Sequence, residues 1–451
     1  MHDLRVLNGL VVSDGETRRG DVAIDDGRIS EIADAGGLGP GREEIDADGC
    51  YVLPGAVDVH FHCRAPSYPT RGDFKSETRA AAAGGVTTVL EMPISDPACS
   101  TPEVVRSRRE LGERTAVVNF GLFAGGAVPD AGAAQALADA GAIAFKLFTT
   151  TAARGRESEF VGLCAPTDEQ IFTALEAIRP TGLMCTVHAE DEALRTTLLK
   201  YGAAPETLDS PILEASAIAI VATIARATRT PIHFAHVTGR MALDAVRAAK
   251  ASSGSDVSAE TCPHYLLFDE ETVRRHGGFA KVAPRLREAD DRAALWGGLC
   301  DGTIDLIASD HAPFQAGEKS DGPFEDAPNG IPGVEMMMSI MLDGAARGAL
   351  SLEGAVDMIS AAPARRFGLF PRKGAVAVGS DADLCIYDPR TPRIVSTADF
   401  HSRSARSAVV YDGLTVQGCV VRTIVGGTTV FQDGQIVGSA GAFVAPAGSA
   451  S

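Results

Sequence analysis

The middle of the chain alternates short apolar segments with Ala-rich amphipathic segments. Stretches such as FKSETRAAAAGG, PTDEQIFTALEAI and GRMALDAVRAAK have helical character and lie between apolar stretches typical of buried strands. Eight such strands are predicted, in GAVDVHFH, GVTTVLEM, AVVNFGLF, AIAFKLF, GLMCTVHA, PIHFAHV, DVSAETC and DLIASDH. Eight strand–helix units predict an α/β fold, a (β/α)8 TIM barrel, with a doubly wound open sheet as the alternative.

Both ends of the chain carry a different pattern. LRVLNGLVV and DVAIDDGRISEIA near the start, and ADLCIYD and TIVGGTTVFQDGQIVG near the end, cluster β-branched residues between Gly-rich breaks. Because chain ends commonly lie close together, we predict one small β-sandwich domain formed from both termini, residues 1–52 plus 371–451. Residues 53–370 then form the inserted barrel.

Composition limits the classes of partner that the protein can bind and indicates its cellular compartment. The formal net charge of −18 argues against a nucleic-acid or anionic-membrane partner. The nine cysteines include no C-x-x-C pair, so neither a zinc ribbon nor a disulfide framework is indicated. The start lacks a signal peptide, and no apolar run approaches the ~20 residues of a membrane span. We therefore expect a cytoplasmic protein with reduced thiols.

Polar residues stand at the ends of the predicted strands, the face of a barrel that carries the active site. A single histidine there is more often a core or rim residue, the role assigned to His233 and His264. His60 and His62, however, point to the same side of one strand. With them, four further strands supply candidates, and together they indicate a metal site: His60, His62, Lys146, His188, His236 and Asp310.

Lys146 lies inside an apolar strand, where a lone buried ammonium is costly. One explanation is a salt bridge to Asp310. The other is that the neutral amine has captured carbon dioxide, and that the resulting carbamate, N6-carboxylysine, bridges two divalent metal ions. Imidazole and carboxylate ligands favour zinc first, with manganese, cobalt or iron as alternatives.

The motifs DVHFHCR, FKLF, VHAED, HFAHVTG, ETCPHYLLF and IASDHAPF, in this order, resemble the cyclic amidohydrolases. This family comprises hydantoinases (dihydropyrimidinases), allantoinases and dihydroorotases, and the resemblance runs through nearly the whole chain. It implies hydrolysis of a ring C–N bond in a small cyclic amide or ureide, by a homo-oligomer, expected to be a tetramer.

The resemblance also implies the role of each residue. His60, His62 and Asp310 match the ligands of a buried metal, and His188 and His236 those of a more exposed one. Lys146 matches the carboxylated bridging lysine. A hydroxide shared by the metals is then expected to attack the ring carbon, with Asp310 as the catalytic proton shuttle. Asn329 matches the asparagine whose backbone holds the ring amide in hydantoinases.

The ring itself is less clearly indicated. Arg64 stands where dihydroorotases bind a substrate carboxylate, or else it is a rim residue paired to an acid. It is followed by Ala-Pro-Ser instead of Glu-Pro-Gly, and Thr151 replaces the tyrosine that many hydantoinases use. EMPISDP and FAKVAPRLR look closer to L-hydantoinases and allantoinases. The prediction is therefore a hydantoinase first, an allantoinase second and a dihydroorotase third.

Two other classes of protein share this barrel. A scaffold relative without activity would have lost metal ligands, whereas all six are present. Another class is a different metal enzyme on the same barrel, such as a deaminase or a phosphotriesterase; Lys146 and the Asn-Gly loop disfavour a mononuclear deaminase. Cys63 and His311 are expected to point away from the site, the first for packing and the second for a supporting hydrogen bond.

Overall fold

The computed structural model describes residues 1–202, 209–254 and 256–445. Its strands are β1 (His2–Ser13), β2 (Glu16–Asp25), β3 (Arg28–Ala33), β4 (Gly41–Asp46), β5 (Tyr51–Pro54), β6 (Ala56–Phe61), β7 (Val86–Glu91), β8 (Asn119–Gly125), β9 (Ala142–Phe148), β10 (Cys185–His188), β11 (Ile232–Phe234), β12 (Val257–Thr261), β13 (Leu306–Ile307), β14 (Leu384–Ile394), β15 (Thr415–Val425), β16 (Thr428–Gln432) and β17 (Gln435–Ile436).

The helices alternate with the central strands and then follow them. They are α1 (Phe74–Ala83), α2 (Pro102–Thr115), α3 (Ala131–Asp139), α4 (Asp168–Ile178), α5 (Glu192–Lys200), α6 (Pro211–Thr228), α7 (Arg240–Ala251), α8 (Pro263–Leu267), α9 (Glu270–His276), α10 (Ala289–Cys300), α11 (Ala316–Ser320), α12 (Met337–Ala346), α13 (Leu352–Ile359) and α14 (Ala361–Arg366).

Strands β6 to β13 form the predicted barrel. They pair in parallel and in chain order. The ring closes where Phe61 bridges to His311 and the His62 N–H donates to the His311 carbonyl at 2.9 Å. Strands β6 to β10 are buried along their whole length, as expected for a parallel sheet covered on both faces. The (β/α)8 prediction is confirmed.

Local sequence explains how the outer helices begin and which face they bury. Helix α1 begins at a capping box between Asp73 and Ser76, which satisfies backbone N–H groups of its first turn. Helix α7 buries Leu243 and Val246 along one stripe and exposes its charged face. Both helices lie in segments predicted from their apolar spacing, as does α4.

The two chain ends meet in a second sheet. Strands β1 to β5 and β14 to β17 make nine strands, and the terminal halves join where β5 pairs antiparallel with β14. Side chains from both halves, such as Val22 and Leu384, share one hydrophobic cluster separate from the barrel core. The small β domain built from both termini is thus confirmed, while its limits at 52/53 and 370/371 stay a prediction.

Helix α6 qualifies the expectation about apolar runs. Among the described residues it alone has the length and composition to cross a membrane, with a mean hydropathy of 1.4 over 18 residues. Of that stretch 44% is buried, and a core helix of a folded domain has the same length and composition. All nine cysteines lie in the described part of the chain and are free thiols.

Candidate active site

A cavity of about 280 Å³ opens at the carboxyl ends of the barrel strands. All the site residues predicted from sequence line it, at or just beyond the ends of five strands and in two loops: His60, His62, Arg64, Lys146, His188, His236, Asp310 and Asn329. The barrel therefore brings together side chains that are up to 269 positions apart in the chain (60 to 329). This is the face on which barrel enzymes carry their chemistry.

One group of ligand atoms centres on Asp310. Its Oδ1 lies 3.3 Å from Nε2 of His60 and 3.3 Å from Nε2 of His62, and the ligand atoms of the three side chains lie within 4.8 Å of one another. Burial opposes ionisation of Asp310, but the nearby His60 and His62 hold its pKa well below the ordinary value. Burial lowers the pKa of His62 to about 3. Two imidazoles and one carboxylate are a donor set that divalent metals bind.

A second pair of ligand atoms lies beside the first group. Nδ1 of His188 and Nε2 of His236 are 3.0 Å apart. Neither ring is readily protonated in this position. Burial lowers the pKa of both rings, and that of His236 falls well below its ordinary value. A neutral imidazole has one ring nitrogen with a free lone pair, which is the form that binds a metal ion.

Lys146 is 1% exposed, and its Nζ has no hydrogen-bond partner within the described residues. Burial lowers the pKa of its ammonium to about 8, so a neutral amine is accessible near physiological pH. The salt bridge to Asp310 considered from sequence is not formed in the part of the chain that is described. An unpartnered amine that lines the same cavity as both groups fits the carbamate interpretation, so the residues present fit two divalent ions.

Several site residues lie just beyond their strands in a left-handed backbone conformation. His236 follows β11 by two residues with φ 38°, and Asp310 follows β13 by three with φ 44°. Arg64 has φ 62°. Sequence had placed His236 and Asp310 on the strands themselves. The backbone instead turns at these residues, and the turn directs their side chains into the cavity. Each such left-handed residue costs about 1–3 kcal/mol.

Two glutamates that sequence reasoning missed orient the histidines. Glu260 accepts from His60 Nδ1 at 2.5 Å and from His233 Nε2 at 3.0 Å. Glu190 lies 2.8 Å from Nε2 of His188. Each carboxylate occupies the ring nitrogen that faces away from the ligand cluster, which fixes the tautomer of the imidazole. The available signal was strand alternation, since Glu190 follows His188 by two residues.

Arg64 is not a rim residue. It is 3% exposed, its guanidinium stacks 4.6 Å from the centroid of Phe314, and within the described residues it donates no hydrogen bond. The other arginines at the cavity have carboxylate partners. Arg156 binds Glu159 through two bonds of 2.6 and 2.7 Å, and Arg195 binds Glu190 at 2.8 Å. Burial, reinforced by Arg156, lowers the pKa of Arg64 to about 9.

The remaining sequence candidates take different positions. Asn329 is exposed at the cavity edge, and Thr151 bonds Glu192 at 3.2 Å. Cys63 points outward to Glu91 at 2.9 Å. His311 lies 2.8 Å from Glu77, on the side away from the cavity.

Comparison with known proteins agrees with this geometry. Residues 51–430 match the amidohydrolase family. D-phenylhydantoinase of Escherichia coli O1:K1 / APEC is 35% identical over 463 residues, covering 97% of both chains. The L-hydantoinase (dihydropyrimidinase) structure from Arthrobacter aurescens superposes with a TM-score of 0.90 at 31% identity, over 99% of this chain and 100% of that one.

A third relative points the same way. The dihydropyrimidinase structure from Brevibacillus agri NCHU1002 has a TM-score of 0.86 at 29% identity, over 98% of each chain. Family match, full-length coverage and the ligand cluster agree, and the resemblance found in the sequence is confirmed. The chain therefore belongs to the amidohydrolase family and is an enzyme of its cyclic amidohydrolase group.

Proposed function

We propose that this protein opens a hydantoin-like ring by hydrolysing a ring C–N bond. The observation that carries the proposal is the unpartnered Lys146 amine in the same cavity as two groups of buried candidate ligand atoms. A purely structural cluster would pair that amine with one of the nearby carboxylates. The full-length likeness to hydantoinases supports the same reaction.

The proposed holders of the metals follow the geometry. His60, His62 and Asp310 would hold one divalent ion, and His188 and His236 the other, with carboxylated Lys146 shared by both. Bound there, two such ions would polarise the ring carbonyl and lower the pKa of a water molecule so that it can act as the nucleophile. Zinc is the first expectation for these donors.

Asp310 is the proposed proton carrier. Its pKa is held low, so it is ionised at neutral pH and can accept a proton. It is 9% exposed and borders the cavity, within reach of a ring lying there. The same carboxyl group would then deliver the proton to the departing ring nitrogen, acting as general base and afterwards as general acid.

Asn329 is the proposed contact for the ring. It stands at the cavity edge, and the described residues offer its backbone N–H and carbonyl no partner. A donor and an acceptor side by side are complementary to the N–H and C=O of a cyclic ureide. Allantoin presents the same edge, so an allantoinase remains the close alternative.

Arg64 favours a second candidate, a ring bearing an acidic group. A buried guanidinium without a carboxylate partner is costly unless a ligand supplies the negative charge. A carboxylate on the substrate would do so through charge-assisted hydrogen bonds. Dihydroorotate is one such ring, and a hydantoin with a carboxymethyl substituent is another.

A substrate panel tests the proposed reaction. Purified enzyme is assayed with hydantoin, 5-substituted hydantoins, allantoin, dihydrouracil and dihydroorotate, and the Asp310→Asn variant serves as the control. We expect a neutral five-membered ureide to be opened fastest and the variant to lose about 10²–10⁴-fold in rate. If allantoin exceeds every hydantoin, only the substrate assignment changes.

The role of Arg64 has a separate test. Wild type and Arg64→Ala are compared on 5-carboxymethylhydantoin and on its uncharged amide analogue. If Arg64 binds a substrate carboxylate, kcat/KM of the variant on the acid falls about 10-fold or more, equivalent to ~1.4 kcal/mol. Its kcat/KM on the amide analogue stays at the wild-type value. Equal loss on both compounds would assign Arg64 to packing against Phe314.

The remaining expectations concern assembly and location. We infer a homotetramer from the family resemblance. We infer a cytoplasmic location from the free thiols. Sedimentation velocity at micromolar concentration should show one species of four chains. A monomer would contradict the assembly and leave the reaction untouched.

A further inference from the structure

A buried ammonium lies behind the cavity wall and has no part in the metal site. Lys319, on α11, is 3% exposed. Its Nζ donates to three backbone carbonyls, those of Lys281 at 3.0 Å, Pro328 at 2.7 Å and Gly330 at 2.8 Å. Its hydrogen-bond partners among the described residues are these carbonyls, and none of them is a carboxylate. All three of its donors are thus used on main-chain oxygens.

These bonds fix the orientation of the peptide that precedes Asn329. The Pro328–Asn329 peptide is trans, so its C=O and N–H point in opposite directions. Lys319 holds the oxygen of that peptide on the buried side. The Asn329 N–H must therefore point away from Lys319.

The next peptide is fixed from the same side. Gly330 N–H donates to the Lys281 carbonyl at 2.9 Å, the oxygen that Lys319 also binds. By the same trans geometry, the Asn329 carbonyl points away from this buried side. Neither backbone group of Asn329 has a partner among the described residues, and Asn329 lines the cavity. Its donor and acceptor are therefore free for a ligand there.

We propose that Lys319 is a positioning residue that clamps residues 328–330 and so aims the Asn329 backbone at the substrate ring. The inference rests on the proposed ring-opening function but concerns recognition and not bond cleavage. Burial, with the positive charges of Lys281 and Arg64, lowers the pKa of Lys319 to about 7. The lowered pKa shows that burying the ammonium costs free energy, and the three hydrogen bonds to main-chain carbonyls offset that cost.

The test compares Lys319→Met with a matched control, Lys281→Met. Nζ of Lys281 also binds main-chain carbonyls of this region, Phe324 at 2.9 Å and Glu325 at 2.6 Å, but none beside Asn329. Both variants are assayed on hydantoin and on a hydantoin methylated at the ring nitrogen outside the cleaved bond. Methylation removes a ring N–H that would donate a hydrogen bond to the Asn329 carbonyl.

In wild type we expect a strong preference for hydantoin over its methyl derivative. Lys319→Met should reduce kcat/KM on hydantoin about 10-fold or more, mostly through a higher KM. The ratio of kcat/KM on hydantoin to that on the methyl derivative should fall toward one. Lys281→Met should keep the preference. Equal losses on both rings, or an unchanged preference in Lys319→Met, would overturn the clamp. Metal content is measured in every variant to separate this effect from a damaged metal site.

Lys319→Gln covers the case in which the Met variant does not fold. It keeps two N–H donors for three carbonyls, so the preference should shrink in part, and an unchanged preference again contradicts the proposal. Binding of both rings is measured by calorimetry alongside turnover. If the wild type binds the rings but opens none of them, the proposed ring opening is refuted, and the positioning role of Lys319 is still tested by the binding preference. If the wild type binds neither ring, both proposals are overturned.

Discussion

Glu260 connects two histidines of the barrel and is fully buried. Burial by itself would raise its pKa, yet His60 and His233 hold that pKa far below the ordinary value. The carboxylate is therefore ionised and accepts from both rings. Nε2 of His60 is consequently left facing Asp310, with its lone pair available to a metal.

We predict that Glu260→Gln weakens metal binding about 10–100-fold, because an amide cannot accept from both rings at once. Metal titration of chelated protein measures this affinity. Glu335→Gln is the matched control, since Glu335 also pairs with a histidine ring, His401 at 3.2 Å, away from the cavity. Equal metal affinity in wild type and Glu260→Gln would show that the orientation of His60 is set by packing.

Lys146 is the second decisive residue. We predict that Lys146→Ala loses both bound metal and activity, because the shared anionic ligand is gone. Short carboxylic acids that fill the space should restore part of the activity. His62→Ala, which lacks an imidazole, should gain nothing from the same acids. Full activity and full metal content in Lys146→Ala would exclude a bridging role.

At the scale of elements, the pattern of apolar positions was sufficient to find all eight barrel strands. Each strand is a short run of buried apolar residues between Gly-rich or polar segments, and this signal is local. The last strand differs, since only Leu306–Ile307 pairs regularly, although the predicted segment extended to His311. The chain turns at Asp310, and the barrel closes through His311 instead.

The parts that could not be predicted depend on distant pairs. Glu260 meets His60 across 200 positions, and Lys319 binds carbonyls of segments on either side of α11. Neither pairing leaves a local pattern. The burial of Arg64 depends on Phe314, from another loop. Sequence found the candidate ligands because metal sites use few residue types, but it missed the groups that orient them.

The loop that carries Asn329 yields an element-scale prediction. Gly330 has φ 142°, and a Cβ there would lie 2.5 Å from the Ala312 Cβ. Gly330→Ala should therefore displace the loop and raise KM about 10-fold or more, with metal content unchanged. Gly302→Ala is the control, because Gly302 also has positive φ (76°) but open space around its Cβ. Unaltered KM in Gly330→Ala would mean that this loop does not contact the ring.

At the scale of the whole molecule, the barrel concentrates polar and charged side chains that the rest of its core excludes. Buried histidines, a lysine and a carboxylate share one cavity, whereas the strands below them are apolar. Such a cluster is stable only when its groups have partners. Two bound metal ions and a ring substrate would supply the partners that Lys146 and Arg64 lack within the described chain.

The most direct test of the account is hydantoin hydrolysis by one preparation in three states. The enzyme is assayed as purified, after removal of metal by a chelator, and after reconstitution with zinc, manganese or cobalt in the presence of bicarbonate. We predict ring opening that is lost with the metal and returns as about two equivalents per chain are bound. Protein that holds two equivalents and opens no ring of the substrate panel would contradict it.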